Sequence, residues 1–363
     1  MIVGVLGGGQ LGRMLGLAGL PLGVRFRFLD PSSEAPARDV GELVVGSFDD
    51  PASVARLAAG VEAVTFEFEN IPTAGLAGLG DRLVPGRRSL ETGQDRGAEK
   101  ALFGRVGIPA PEYAAIDRIE DVAGALAGVP LPAVMKTRRM GYDGKGQRVV
   151  RTKEETLAAA TAMLPAGLIL ERLVRLEREV SIIAARGRDG TTVFYPLVQN
   201  RHEGGILRVS VAPAPDAGGI EGRAREYAGR ILDDLGHVGV LAVEFHVEEG
   251  RLLANEIAPR VHNSGHWTIE GAATSQFENH LRAILGWPLG DGRALGHAGM
   301  VNLIGGIPAM GAMLGHDGAR VHLYGKASRP GRKVGHVTVV SGRAVERDAA
   351  VERLEGLART ALA

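Results

Sequence analysis

The sequence predicts an α/β protein whose N-terminal part is a doubly wound, mostly parallel sheet, followed by an α+β region and a small β-rich C-terminal segment. Three observations carry this reading. Short apolar runs alternate with helix-period stretches over residues 1–95, as they do when helices wrap a parallel sheet. Beyond residue 130, strand runs crowd together and outnumber helices, which favours antiparallel pairing. The length of 363 residues suffices for two or three domains of roughly 150 residues each.

In chain order, IVGVL (Ile2–Leu6) reads as a strand, and Gln10 to Leu20 as a helix. VRFRFL, a helix at Pro51 to Ala59, AVTFEF and a helix after Pro72 complete the first unit, residues 1–95. The helix starting at Asp95 stops at Gly107-Ile108-Pro109, where proline and glycine cannot continue it. PAVMKT, QRVVR and LILERL then form a small antiparallel sheet around a helix at Glu154 to Met163, giving a unit at 96–175. REVSIIAAR, TTVFYPLVQN and ILRVSVAP follow as strands, then a helix at Ile220 to Leu235, the hairpin VGVLAVEFHVEEGRLLANEIA and the helix TSQFENHLRAILG, spanning 176–298. MVNLIGG, VHLYGK and GHVTVVS are the strands of a last unit, 299–363.

Composition removes several classes of function. The 42 basic and 42 acidic side chains balance, so nothing supplies the positive excess that nucleic acid or an anionic membrane surface requires. There is no cysteine, hence no disulfide, thiolate nucleophile or Cys-type zinc site. No apolar run reaches the roughly 18 residues needed to span a bilayer, and the expectation is a soluble, cytoplasmic protein. Only six lysines, at 100, 136, 145, 153, 326 and 333, stand among 36 arginines. A lysine retained in such a chain is the better candidate for a role that needs a compact ammonium.

Two glycine loops compete for a phosphate. GVLGGGQLGRML fits GxGxxG between a strand and a helix, and Asp30 falls roughly 20 residues on, where a dinucleotide ribose would be held. Alone, this predicts a nicotinamide cofactor. KTRRMGYDGKGQ, Lys136 to Gln147, lies between two strands and offers glycines at 141, 144 and 146 beside Lys136 and Lys145. That composition suits a flexible phosphate lid; it is not a Walker A loop, because GxxxxGK[ST] is missing.

In VEFHVEEGRLLANEIAPR, strand alternation puts Leu241, Val243, Phe245 and Val247 on one face and Ala242, Glu244 and His246 on the other. A three-residue turn at Glu248-Glu249-Gly250 pairs Glu244 with Ala254 and sets Glu256 diagonally on the same polar face, whereas a two-residue turn sends Glu256 to the opposite one. Two carboxylates sharing one space repel unless a cation lies between them, and oxygen donors suit magnesium. Glu171 and Glu179 bracket a further strand junction. TFEFEN sets Glu67 and Glu69 at the C-terminal end of a strand, the edge where open α/β sheets bind ligands. HNSGHW and RPGRKVGH are dense in donors, but Ser-Gly between His262 and His266 disfavours the helix that an i, i+4 metal pair needs.

In their order, GGGQLGRML, TFEFENIP, DR followed by EK, KTRRMGYDGKGQ, FYPLVQNRHEGGILR, NEIAPRVHNSGHWTIEGAATSQFENH and RPGRKVGH resemble motifs of the ATP-grasp superfamily. Within it they are similar to the synthetases that carboxylate a purine-pathway ribonucleotide, and the resemblance spans essentially the whole chain. It implies an ATP-grasp fold: a Rossmann-like N-terminal domain at 1–95, a small subdomain with the lid at 96–175, a large subdomain with the metal site at 176–298 and a C-terminal domain at 299–363. It implies ATP bound by Arg96, Lys136, Gly141, Tyr142, Asp143, Gly144, Lys145, Gly146, Gln147, Glu171, Arg172, Leu173, Val174, Glu179, His202, Asn255 and Glu256. Glu244 and Glu256 match ligands for magnesium, with manganese able to substitute. Gly9, Gln10, Leu11, Glu67, Asn263, Lys326 and Arg332 match the region of the ribonucleotide, and the first glycine loop then cradles a substrate phosphate or only turns tightly.

The implied reaction is ATP- and bicarbonate-dependent carboxylation of the amine of 5-aminoimidazole ribonucleotide through carboxyphosphate, in de novo purine biosynthesis, by a homodimer. Lys136, Tyr142, Asp143, Arg260 and Arg332 are the implied catalytic groups. The sequence departs from the pattern at Met140, where the family usually has glycine, and at Ala258, where many ATP-grasp enzymes have a further metal-ligating asparagine. The competing readings are another ATP-grasp ligase acting on a purine-pathway ribonucleotide, an NAD(P)-dependent oxidoreductase, and a non-catalytic nucleotide sensor.

Overall fold

Strand β1 (Ile2–Leu6) is apolar on both faces, which suits the middle of a parallel sheet covered on two sides. In the computed structural model, which describes residues 1–141 and 144–361, it lies between β2 (Arg25–Asp30) and β4 (Ala63–Phe66). With β3 (Glu42–Val45) outermost, the order is β3-β2-β1-β4, all parallel. Helices Gln10–Gly19 and Pro51–Ala58 cover the sheet, the second started by Asp50, which accepts from the Ala52 and Ser53 amides. The helix expected after Pro72 is instead a run of 3-10 turns, Ala74–Arg82, broken at Gly80 with φ of 52°. Three glycines in nine residues make an α-helix there entropically costly.

Strands β5 (Tyr113–Ile116), β6 (Ala133–Thr137), β7 (Gln147–Val150) and β8 (Leu168–Arg172) form an antiparallel sheet in the order β5-β8-β6-β7. The third and largest sheet contains β9 (Arg178–Arg186), β10 (Thr192–Phe194), β11 (Val198–Glu203), β12 (Ile206–Ala212), β13 (Gly239–Glu248), β14 (Arg251–Ala258), β15 (His297–Ile304), β16 (Arg320–Leu323) and β17 (Lys333–Ser341). Its order is β14-β13-β9-β11-β12-β15-β17-β16, with β10 paired to β9. The expected single strand TTVFYPLVQN is split into β10 and β11 around Pro196, which has no N–H for a ladder. Pairing of β12 with β15 makes the last strands an extension of this sheet. They are backed by a helix, Ala344–Thr360, that the sequence reading omits; Arg347, Val351, Leu354 and Ala358 form its buried stripe.

The two faces of β13 have separate fates. Leu241, Val243, Phe245 and Val247 pack with Ile231 and Leu232 of helix Glu221–Leu235, each contributing about 1.5–3 kcal/mol of burial. On the other face, Val240 and Ala242 join a core with Trp267 and Phe277, while Glu244 and His246, further along, border open space. Strand β14 is the outer strand beside β13, and helix Arg96–Arg105 runs along it.

Candidate active site

The β13–β14 ribbon has the shorter of the two expected turns, but not the consequence expected of it. Glu248 pairs with Arg251, so the turn has two central residues, Glu249 and Gly250, both left-handed at φ of 50° and 68°. Phe245 then pairs with Ala254, but Glu244 pairs with Glu256. One extra residue, Asn255, is accommodated as a β-bulge, and this returns Glu256 to the face of Glu244 that a straight two-residue hairpin would deny it. The two carboxylates stand directly opposite each other rather than on a diagonal.

They face a cavity of about 770 Å³ that reaches from the antiparallel sheet to the large sheet and the N-terminal unit. Arg96, Lys136, Gly141, Gly144, Lys145, Gln147, Leu173, Glu179, His202, Glu244, Asn255 and Glu256 line it, as do Gln10, Leu11, Arg260 and Asn263. Lys326 and Arg332 line an adjoining cavity of about 580 Å³, which shares Gln10, Lys145 and Lys333 with the first. Gly9, Glu67, Gly146, Glu171, Arg172 and Val174 line neither cavity. Tyr142 and Asp143 lie outside the described residues.

Glu171 lies just beneath the surface of the site. Its Oε2 is 3.1 Å from Lys136 Nζ and 3.2 Å from Lys100 Nζ. Burial by itself raises the Glu171 carboxyl, yet Lys136 and then Lys100 pull it down to about 2. Burial likewise opposes ionisation of Glu256, but Arg96, 2.8 Å away, overcomes it and leaves this carboxyl well below the usual range. Glu244 goes the other way, raised by burial and by the charge of Glu256. On the far wall, His202 Nδ1 meets Glu179 Oε2 at 2.7 Å.

This donor set fits a hard divalent cation. Glu244 and Glu256 form an incompletely neutralised pair, and Asn255 Oδ1 beside them is buried without a hydrogen-bond partner among the described residues. No group of three His, Asp or Glu side chains converges among the described residues. One or two carboxylates completed by substrate phosphates is how proteins usually hold magnesium, and all the donors here are oxygen.

The first glycine loop is already filled by the protein's own acids. Glu67 accepts from the Gly9 and Gly12 amides, the latter at 2.7 Å, and Asp30 Oδ2 accepts from the Gly8 amide at 2.9 Å. A Cβ on Gly7 or Gly9 would land on the Glu67 side chain. These glycines therefore admit a carboxylate, and a dinucleotide pyrophosphate would have to displace it. Asp30, bonded to the loop, is not poised for a ribose.

The sequence assigns no site role to Glu99, Lys100, His246 or Lys333, and His262 enters only through the disfavoured metal pair with His266. Two of them had a signal: Lys100 and Lys333 belong to the six retained lysines. His246 also follows from alternation, two residues beyond Glu244, and it lines the cavity. His262, whose Nε2 is 3.7 Å from Glu244 Oε1, is driven down to about 3 by burial and by Arg260. His266 is not beside it in the cavity but fully buried against Phe277, Tyr324 and His336.

Three family models match the chain: a ribonucleotide synthetase preATP-grasp domain at residues 1–94, an ATP-grasp domain at 101–277 and a phosphoribosylaminoimidazole carboxylase C-terminal domain at 298–350. The N5-carboxyaminoimidazole ribonucleotide synthase of Pseudomonas aeruginosa is 46% identical over 359 residues, covering 98% of this chain and 99% of the relative. The crystal structure of N5-carboxyaminoimidazole ribonucleotide synthetase from Thermus thermophilus is similar at a TM-score of 0.94 and 53% identity, covering 98% of each chain. The Aspergillus clavatus N5-carboxyaminoimidazole synthase in complex with ADP and 5-aminoimidazole ribonucleotide matches at a TM-score of 0.91 and 30% identity, over 99% of this chain and 98% of that one. With all three units matched in order and relatives aligned from end to end, the chain belongs to the N5-carboxyaminoimidazole ribonucleotide synthase family of ATP-grasp ligases.

Proposed function

We propose that the chain performs its family's ATP-dependent carboxylation of the amine of 5-aminoimidazole ribonucleotide in the cavity beside the β13–β14 ribbon, with bicarbonate as the carboxyl source. The observation that carries this reading is the opposed pair Glu244 and Glu256, in one cavity with Lys136 and the glycine lid. A bicarbonate oxygen bonds to the γ-phosphorus as the bond to ADP breaks. The carboxyl carbon of carboxyphosphate then bonds to the amine nitrogen as phosphate leaves and the amine gives up a proton.

Such chemistry asks a protein mainly for positioning and charge neutralisation. Glu244, Glu256 and Asn255 Oδ1 are the donors that would hold magnesium or manganese, which when bound neutralises phosphate charge. Lys136 is pre-oriented by Glu171, 3.1 Å away, so its ammonium meets phosphate with little rotamer entropy left to lose. Arg260, steadied by Glu69 at 2.9 Å, offers a guanidinium to the planar carboxylate of carboxyphosphate. Lys326 and Arg332, in the adjoining cavity with Gln10, supply a basic wall for the ribonucleotide phosphate. The lid glycines allow closure that excludes water from a hydrolysable intermediate. From the resemblance alone, Tyr142 and Asp143 act beneath the lid, Asp143 accepting the amine proton. From the same source, the working form is a cytoplasmic homodimer, which sedimentation velocity and cell fractionation check.

The decisive experiment is phosphate release from ATP with magnesium and bicarbonate, with and without 5-aminoimidazole ribonucleotide. Release should depend on the ribonucleotide. Glu256→Gln is expected to lower turnover by at least a hundredfold with an unchanged circular dichroism spectrum; wild-type rates in that variant refute the metal assignment.

A further inference from the structure

Resting on that assignment of Glu244 and Glu256, we propose that Lys100 is a positioning residue that sets the register of the metal-binding ribbon and does not itself contact nucleotide. Lys100 is 1% exposed. Its Nζ lies 3.0 Å from Asn255 O, 3.3 Å from Ala254 O and 3.2 Å from Glu171 Oε2. An ammonium has three N–H donors, and these three acceptors take them all. None is left to reach into the cavity, and Lys100 does not line it.

The carbonyls it engages are those of the bulge. In a regular strand consecutive carbonyls point to opposite edges, so one cation does not reach two in a row. Ala254 and Asn255 present both because the chain is turned between them, at the point where pairing shifts from Phe245–Ala254 to Glu244–Glu256. Residues on either side are held from the same direction. Glu99 Oε1 accepts from the Ile257 amide at 2.8 Å, and the Ala254 amide donates to Pro109 O at 2.7 Å. Adjacent residues of helix Arg96–Arg105 thus take the free backbone edge of an outer strand, where another strand would otherwise pair.

The bulge decides where Glu256 points. Without it the two-residue turn continues in straight register, and the Glu256 side chain falls on the face opposite Glu244. Removing the Lys100 ammonium takes this donor from the buried Ala254 carbonyl and the partly buried Asn255 carbonyl, which favours that alternative or a mixture of registers. Because Glu171 joins Lys100 to Lys136, the same ammonium links the ribbon to the sheet that carries Lys136.

The test is Lys100→Met, with Mn²⁺ binding in the presence of ADP followed by electron paramagnetic resonance, and ADP binding without metal followed by calorimetry. The expected result is at least a tenfold loss of Mn²⁺ affinity with metal-free ADP affinity within twofold of wild type. Glu256→Gln is the control. If it loses Mn²⁺ binding while Lys100→Met keeps it, the positioning role is refuted and the metal assignment stands. If neither Glu256→Gln nor Glu244→Gln alters Mn²⁺ binding, that assignment fails and takes the inference with it. A loss of metal-free ADP affinity equal to the loss of metal affinity makes Lys100 a nucleotide ligand and also refutes the proposal. Should Lys100→Met not fold, Lys100→Gln, which keeps N–H donors, is measured in the same way and is expected to show an intermediate loss.

Discussion

Arg172 and Glu248 meet in a two-pronged ion pair, Nη1 to Oε1 at 3.0 Å and Nη2 to Oε2 at 2.8 Å, which joins the last strand of the antiparallel sheet to the β13–β14 ribbon. Arg172 Nε also donates to Glu112 at 2.5 Å, so the guanidinium plane is fixed from three sides. A lysine retains the charge but not the fork. Arg172→Lys is therefore expected to raise the KM for ATP roughly three- to tenfold by loosening one wall of the cavity against the other, with kcat within twofold. Steady-state kinetics with saturating ribonucleotide check this.

The hairpin turn yields a stability prediction. Glu249 and Gly250 are both left-handed, at φ of 50° and 68°, and a glutamate gains nothing from that conformation. Asn-Gly is the favoured pair for such a turn. Glu249→Asn should stabilise the protein by about 0.5–1 kcal/mol, and Gly250→Ala should destabilise it by about 1 kcal/mol. Urea unfolding measures both.

The same ribbon shows where sequence reading stops. Its polar and apolar faces follow from alternation alone. A shared space for Glu244 and Glu256 did not: the pattern allows it only with a three-residue turn, the turn has two residues, and the bulge at Asn255 that restores it is tied to Lys100, which lies 155 residues earlier. Alternation is local and a bulge held by a distant ammonium is not. Strand β1 at the middle of the first sheet was legible for the opposite reason: it is apolar on both faces whatever its neighbours do. The last helix escaped notice because its buried stripe begins with Arg347, a charged residue that is 1% exposed and bonded to Asp348. Arg172 matched a nucleotide position by motif, whereas in the fold Glu112 and Glu248 take up its side chain.

The first glycine loop should reject an added methyl. A Cβ on Gly9 lands on the Glu67 carboxylate, which is 8% exposed and bonded to the loop amides. Gly9→Ala is expected to cost about 1–3 kcal/mol. With the cradle filled by Glu67, NADH should leave the melting temperature of the wild type unchanged whereas ATP with magnesium raises it. A shift with NADH alone would restore the dinucleotide reading of this loop.

Two buried histidines are expected to make stability fall in mild acid. The Val240 amide donates to His280 Nδ1 at 3.1 Å, so that nitrogen carries no proton and Nε2–H donates to Thr65 Oγ1 at 2.8 Å. His237 Nε2, on the other side of the same residue, is 3.1 Å from Val240 O. Both rings are fully buried, and burial drives His280 down to about 3 and His237 to about 4 from an ordinary 6.5. Above pH 6.5 folded and unfolded chains both hold these rings neutral, and nothing is lost. As pH falls from 6.5 toward 4 the unfolded chain takes up protons that the folded chain refuses, so stability declines, for His280 by about 2 kcal/mol at pH 5. His280 is the more informative position, since a proton on Nδ1 would face the Val240 N–H directly, whereas Ser89 Oγ beside His237 Nδ1 can rotate to accept. His280→Gln should be less stable than wild type at pH 7.5, through loss of the Thr65 and Val240 bonds, yet lose about 2 kcal/mol less between pH 7.5 and 5. Equal pH dependence of urea unfolding in the two proteins would show that this buried ring is not what acid unfolds.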